Sequence, residues 1–419
     1  MKKKAGLCLL EGFGIEIEYM IVRKETLDVF PVSDEIIRSA SGKYSNDYDN
    51  GHMGWSNEFV LHVMELKNTG PVPSLKGLAK DFHEQVRQIN RILLPLEGRL
   101  MPSGMHPWMD PRKETKLWPH GCRKVYETYD GIFNCRRHGW ANLQSMHINV
   151  SFNGDAEFER LHAAMRLLMP LIPALAASSP VAGGRVTGLQ DTRLFHYRSN
   201  QRRVPVIMGR IIPEPVYTEA DYRKEVFDKI YRGIAEYDPG GILRHEWLNS
   251  RGVIPRFERS ALEIRVIDTQ ECASANIAVA ELIVDVLRQL TDEKWASLDE
   301  QKRWKVSPLV SVFRETVKNG ERAVIDDPRY LRMFGFSGAR AEAGELWRHL
   351  ADESGRRGLI DARSMRIIKF MLDEGTLSRR ILRSLGKDPS RTRLREVYGR
   401  LCRCLAGNEL FDPNDADIA

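Results

Sequence analysis

Residues 14–21, Gly-Ile-Glu-Ile-Glu-Tyr-Met-Ile, limit what this chain can fold into more than any other stretch. Side chains on a β-strand alternate between its two faces, so Glu16, Glu18 and Met20 point one way and Ile15, Ile17, Tyr19 and Ile21 the other. One face can be buried, while the other carries two acids about 6–7 Å apart along the strand. Carboxylates held that close repel unless a cation lies between them or one takes up a proton. The strand therefore suits a metal; the competing reading is an edge strand whose acids face water, and on this segment alone the two stand even.

The same design recurs twice. Residues 146–152 set Met146, Ile148, Val150 and Phe152 against His147, Asn149 and Ser151, and residues 261–268 set Leu262, Ile264 and Val266 behind Glu263 and Arg265. Strands with an apolar back and a polar front predict an α+β fold: a mainly antiparallel β-sheet whose back is covered by helices and whose front is a polar cleft. Residues 58–67 read as another strand, ended by Asn68-Thr69-Gly70-Pro71. Glu58 and Glu65 differ by seven and would face opposite sides of one straight strand, so a bulge or strand boundary must intervene if both serve one site.

Between these strands, the Ser-, Asn-, Asp- and Gly-rich stretch 39–54 and residues 100–110 read as loops, with His106 in a structural turn. Ser74 is a candidate N-cap for a helix carrying Leu75, Leu78, Ala79, Phe82, Val86, Ile89 and Leu93 until Pro95 stops it. A helix over 155–177 leads into 178–185, a Ser- and Gly-rich loop able to fold close to a ligand. Residues 191–203 carry Arg193, Arg198, Arg202 and Arg203. From residue 275 onward helix follows helix, at 277–290, 364–372, 377–385 and 392–405, and the arginines at 379, 380, 383, 391, 393, 395, 400 and 403 are expected on a solvated face.

With 42% hydrophobic and 29% charged residues over 419 positions, the chain can bury a large core and is not compositionally disordered. A net charge of +6 is mild for this length, so nucleic acid is not expected as a partner. No apolar run reaches membrane-spanning length. The opening Met-Lys-Lys-Lys-Ala-Gly-Leu-Cys-Leu-Leu starts like a secretion signal, but its apolar run is short, it lacks a small-residue cleavage site, and it runs directly into the acidic strand. The expected location is the cytoplasm. Six cysteines without C-x-x-C spacing predict reduced thiols rather than disulfides or a zinc site. No Gly-x4-Gly-Lys-Ser/Thr loop exists, and Gly12-Phe13-Gly14 precedes a strand instead of following one, which excludes those two nucleotide-binding fingerprints.

A set of motifs then falls in a familiar order: Gly-Ile-Glu-Ile-Glu at 14–18, Glu58-Phe59 with Glu65, Gly104-Met105-His106-Pro107, Met146-His147-Ile148-Asn149-Val150, Ala177-Ser178-Ser179-Pro180, His196-Tyr197-Arg198-Ser199 and Leu262-Glu263-Ile264-Arg265. Over residues 11–405 the chain resembles the glutamate–cysteine ligase type 2 family, ATP-dependent carboxylate–amine ligases of the glutamine synthetase-like superfamily. The resemblance implies a glutamine synthetase catalytic-domain-like fold, with a catalytic core over 1–295 and a helical region over 296–419 packed on it. It implies that Glu16, Glu18, Glu58, Glu65, His147 and Glu263 hold Mg²⁺ (or Mn²⁺), that Arg265 stabilises the transferring phosphoryl group, and that Asn149, Tyr197, Arg198 and Arg256 contact substrate or nucleotide. ATP, a small-molecule carboxylate and an amine are the implied ligands, and a homodimer the implied assembly. Many members have histidine where Asn149 stands, and an amide is the poorer metal ligand.

The chemistry accounts for such a residue set. A carboxylate resists an amine until ATP converts it to an acyl phosphate, and hard divalent cations on carboxylates can neutralise and align the phosphates. Plainer readings stand beside this one: His147 as a hydrogen-bonded structural residue, Glu263 with Arg265 as an ordinary ion pair, Arg198 as a surface charge. Two functions follow. One is a ligase joining the side chain of glutamate, or of a similar amino acid, to an amine such as that of cysteine. The other is a non-catalytic nucleotide- or anion-binding protein that keeps the fold and holds a partner such as RNA on its Arg-rich helices. Retention of all the expected acids favours the ligase.

Overall fold

The acidic strand is the hub of one sheet. A computed structural model describes residues 6–415, so the basic start of the signal-like stretch, residues 1–5, lies outside the described residues. The strands are β1 (Phe13–Arg23), β2 (Asp47–Asn50), β3 (Met53–Asn57), β4 (Val63–Asn68), β5 (Gly98–Met101), β6 (Ser145–Ser151), the short hairpin β7 (Val181–Ala182) and β8 (Arg185–Val186), then β9 (Val253–Arg256) and β10 (Ala261–Asp268), and a two-stranded pair, β11 (Val324–Ile325) with β12 (Ala341–Glu342), among the later helices. The main sheet runs β2-β3-β4-β1-β6-β10-β9, with β5 pairing the far end of β1. Every pairing in it is antiparallel, as the alternating strands imply.

The apolar side chains of β1, β6 and β10 are buried on the back of this sheet. They share one core with the helices Leu78–Leu93, Gly154–Leu168 and Ala273–Thr291 and with the later helices Val306–Asn319, Ala343–Arg357 and Ala362–Glu374. Helices Leu377–Leu385 and Arg391–Gly407 go elsewhere. Their Leu377, Ile381, Leu394 and Val397 pack with Met20, Val22 and Met101, covering the end of β1 beyond its acids. That contact explains why Met20, in phase with Glu16 and Glu18, is buried. Among the described residues no helix is long and apolar enough to cross a membrane, and all six cysteines are free.

Several local expectations are corrected. The polar stretch 39–54 is not a loop: it holds the end of helix Ser33–Ser41 and the β2–β3 hairpin. Gly51, at φ 73°, opens that hairpin's two-residue turn, where a positive φ is required. Residues 58–67 are not one strand, since β4 begins at Val63. The helix expected from Ser74 starts at Leu78, and the Ser74 hydroxyl instead accepts from the Lys76 N–H. Edge strand β5 takes in residues 100 and 101 of the stretch read as loop. The helix over 155–177 breaks after Leu168 into two short turns led by Pro170 and Pro173, which lack the N–H a continuous helix needs.

The arginines near the C-terminus are not all solvated. Arg391 stacks 3.7 Å above the Trp108 ring. Arg380 is fully buried, its Nη1 donating to Glu271 Oε1 at 2.6 Å and to the Phe411 carbonyl at 2.7 Å. Removing one partner of a buried ion pair leaves the other charge uncompensated. Arg380→Met should therefore cost about 3–5 kcal/mol in urea denaturation, and adding Glu271→Gln should recover part of it. A loss below about 1 kcal/mol, the range of an exposed pair, would show that water reaches Glu271.

Candidate active site

Strand register alone assembles the site. Glu16 lies opposite His147, Glu18 opposite Glu65, Asn149 opposite Glu263, and Ser56 opposite Glu65. Directly opposed residues have Cβ atoms about 4.5–5.5 Å apart, so five adjacent strands deliver one cluster on the front face. His147 Nδ1 lies 3.1 Å from Glu16 Oε2 and 3.8 Å from Glu263 Oε1, while its Nε2 lies 3.8 Å from Glu18 Oε1. Glu16, His147 and Glu263 can each offer one ligand atom within 4.8 Å of the others, and so can Glu18, Glu65 and His147. Carboxylate oxygens with a single imidazole suit a hard divalent cation such as Mg²⁺ or Mn²⁺ better than zinc, so this donor set fits the implied metal.

The acids are not equally crowded. Burial pushes Glu16 up, but the His147 hydrogen bond and the charges of His147, Lys67 and Arg265 outweigh it and hold the carboxyl at about 2. Burial lowers His147, yet the Glu16 bond and the Glu18 charge raise it overall. Glu18 accepts from the Ser145 N–H at 2.8 Å and from its hydroxyl at 3.1 Å. Glu65 goes the other way: burial and the Glu16 charge lift it to about 7 despite Lys67 and the Ser56 hydroxyl at 2.6 Å. Glu58 is raised well above the usual range by burial and then by Glu18 and Glu65. Repulsion expected between Glu16 and Glu18 thus falls on Glu58 and Glu65. Glu58 stands in the link between β3 and β4, so a strand boundary resolves the odd spacing. It is in neither ligand trio and faces the cavity.

β10 is not a straight strand. Ile264 pairs with Ile148 but Ile267 with Met146, so Arg265 and Val266 together oppose His147 in a β-bulge. The bulge sets Arg265 beside Glu263, Nε 2.8 Å from Oε1, and flips the phase so that Asp268, paired with Ser145, turns to the front. Asp268 accepts from the Ser178 N–H at 2.8 Å and the Ser179 hydroxyl at 2.7 Å and ion-pairs with buried Arg193. The 178–185 loop is therefore tied at its start to Asp268, not held open for a ligand.

The other expected contacts separate. Asn149 Nδ2 donates to Glu16 Oε1 at 3.2 Å, orienting a ligand carboxylate. Arg256 Nη1 lies 3.0 Å from Glu263 Oε2. The Tyr197 ring lines the cavity, its hydroxyl donating to the Ser250 carbonyl at 3.0 Å. Arg198 is not brought to the acids: it is exposed, sits 4.5 Å over the Phe195 ring, and borders a separate cavity of about 390 Å³ with Arg314 and Lys318. His106 is structural, its Nε2 2.8 Å from the Leu27 carbonyl and its Nδ1 accepting from the Trp108 and Met109 N–H groups. Sequence reasoning passed over Ser145, which lies two residues from His147 and in phase with it. It also missed Ser56 and Lys67, and an aromatic wall built from Phe59, Tyr126, Tyr129, Trp140 and Trp247. That wall borders a cavity of about 540 Å³ whose floor is Glu18, Glu58, His147 and Arg265.

The model of the glutamate-cysteine ligase family 2 matches residues 12–403. An uncharacterized protein of Archaeoglobus fulgidus is 33% identical over 402 residues, 95% of this chain and 99% of that one. A protein of Corynebacterium glutamicum named "Putative glutamate--cysteine ligase 2" is 23% identical over 300 residues, 70% of this chain and 72% of that one. Among solved structures, the glutamate–cysteine ligase of Francisella tularensis in complex with AMP superposes with a TM-score of 0.60 over 94% of this chain and 89% of that one. At 12% identity this last likeness is one of fold.

Proposed function

Because the chain belongs to the glutamate-cysteine ligase family 2, we propose that it is an ATP- and Mg²⁺-dependent carboxylate–amine ligase, activating the side-chain carboxylate of glutamate or a similar amino acid and joining it to an amine. The observation that carries this reading is the pair of carboxylate–imidazole sets sharing His147, with Arg265 beside them at the floor of one cavity. Glu16, Glu18, Glu65, His147 and Glu263 would hold the cations. Bound there, the cations would supply charge neutralisation and alignment of the phosphates.

The chain's own groups do the rest. Ser145 fixes Glu18, and Asn149 fixes Glu16, so the ligand oxygens are preorganised. Arg265 presents a guanidinium toward the cavity, where it would bind the phosphoryl oxygens most strongly as charge builds on them. Glu58 faces the same cavity, and cations on Glu18 and Glu65 would remove two of the charges that raise its carboxyl. Arg380 and Arg391, which the RNA-binding alternative would use, are occupied by Glu271 and by Trp108 with Asp28.

ATP with Mg²⁺ should raise the melting temperature by mass action, about 2.7 kcal/mol at a hundredfold excess over Kd. Glu65 sits at about 7, and a cation must displace its proton, so the shift should grow as pH rises from 6 to 8. Release of ADP should require a carboxylate and an amine together. No thermal shift at saturating ATP and Mg²⁺ would sink the ligase reading.

A further inference from the structure

The cavity wall is a continuous run of rings. Tyr126, Phe59, Trp140, Tyr129 and Trp247 follow one another with centroids 5.2, 6.1, 5.4 and 5.8 Å apart. They converge from four places in the chain: the β3–β4 link, one face of helix Arg123–Phe133, the turn His138–Ala141 and the turn Glu246–Leu248. All but Tyr129 remain partly exposed, and the indole Nε1 of Trp140 has no hydrogen-bond partner. Apolar ring surface kept wet inside a concave site is matched to an apolar occupant. A cysteine side chain would cover little of it.

Charge selects which substrate lies there. At the foot of the wall stand Glu58 and Glu18, and the two guanidinium groups on the lining are paired, Arg193 with Asp268 and Arg265 with Glu263. The faces of the wall's rings carry the negative end of their quadrupoles, so they attract an ammonium and offer nothing to a polyphosphate. Resting on the ligase reading above, we propose that the amine acceptor is an arylalkyl primary amine, its ring against Tyr129, Trp140 and Trp247 and its nitrogen toward Glu58. The nitrogen forms the new bond to the acyl-phosphate carbon, the carbon–oxygen bond to phosphate breaks, inorganic phosphate leaves, and the surplus proton passes to water.

Calorimetry on the full chain with Mg²⁺ and a non-hydrolysable ATP analogue tests this without turnover. 2-Phenylethylamine should bind about tenfold tighter than cysteine. Trp140→Ala should weaken it by about tenfold while leaving the affinity for the ATP analogue unchanged. Trp140 also packs on Phe133, with centroids 5.7 Å apart, so Trp247→Ala, at a half-buried position, provides a second variant with the same expectation. Cysteine binding as tightly as 2-phenylethylamine overturns the assignment, as does displacement of the amine by the nucleotide or a loss of nucleotide affinity in either variant. If amine binding follows the expected order but no carboxylate–amine pair releases ADP, the ligase reading fails and the arylalkylamine site stands.

Discussion

Arg265→Lys should lower kcat about 100-fold while changing KM for ATP only a few-fold, the pattern expected when one preorganised donor acts mainly in the transition state. The bulge in β10 fixes where this side chain starts, and Glu263 holds its Nε side at 2.8 Å. The ion pair leaves Nε without a hydrogen-bond partner, and the guanidinium lines the cavity. Lysine keeps the charge but loses the planar fork that can meet two phosphoryl oxygens at once. Were Arg265 only the partner of buried Glu263, the change would appear as a loss of stability and leave kcat within a few-fold. Steady-state kinetics and a melting curve on this one variant separate the two outcomes, and an unchanged kcat removes Arg265 from the mechanism.

Glu16→Gln and Glu65→Gln should each abolish activity, by about 10³-fold or more if each removes a cation ligand worth several kcal/mol, yet move stability in opposite directions. Glu16 is held at about 2 in the folded protein. A carboxyl depressed on folding adds stability above its unfolded value near 4.5, and that stability is lost as pH falls toward 2. Glu16→Gln, which removes the carboxylate beside His147, should therefore destabilise the metal-free protein at pH 8, by about 1–3 kcal/mol. Glu65 is raised to about 7. Between about 4.5 and 7 the folded state binds the extra proton, so its stability falls as pH rises through that window and stays lower above it. Glu65→Gln keeps an acceptor for the Ser56 hydroxyl and sheds the charge, so it should be more stable than the parent at pH 8 and equal to it near pH 4. Denaturation in the presence of a chelator at both pH values decides this, and a Glu65→Gln variant less stable at pH 8 would show that Lys67 already neutralises the carboxylate.

Much of this site was legible because side-chain alternation is a local property of the chain. The period-two patterns at 14–21, 146–152 and 261–268 put Glu16, Glu18, His147, Asn149 and Glu263 on one face before any partner strand is known. The odd spacing of Glu58 and Glu65 likewise demanded a break, and the break is there. The β2–β3 hairpin escaped because Asp-Tyr-Asp-Asn at 47–50 has loop composition, and its pairing partner rather than its propensity makes it a strand.

What the sequence determined by itself was which residue types stand together on each strand, since backbone geometry imposes that without reference to the rest of the chain. Only the tertiary structure decided which strands adjoin and in what register, and hence that His147 serves two acid sets, because pairing joins distant residues, Glu18 to Glu65, Glu16 to His147 and Asn149 to Glu263. The one-residue bulge that aims Arg265 and turns Asp268 to the front has no local signal. The separation of Arg198 from the acids, the burial of Arg380 against Glu271, and the aromatic wall assembled from four stretches follow from helix packing on both faces of the sheet. Those outcomes depend on which distant surfaces exclude water from one another, and no short window of sequence contains that information.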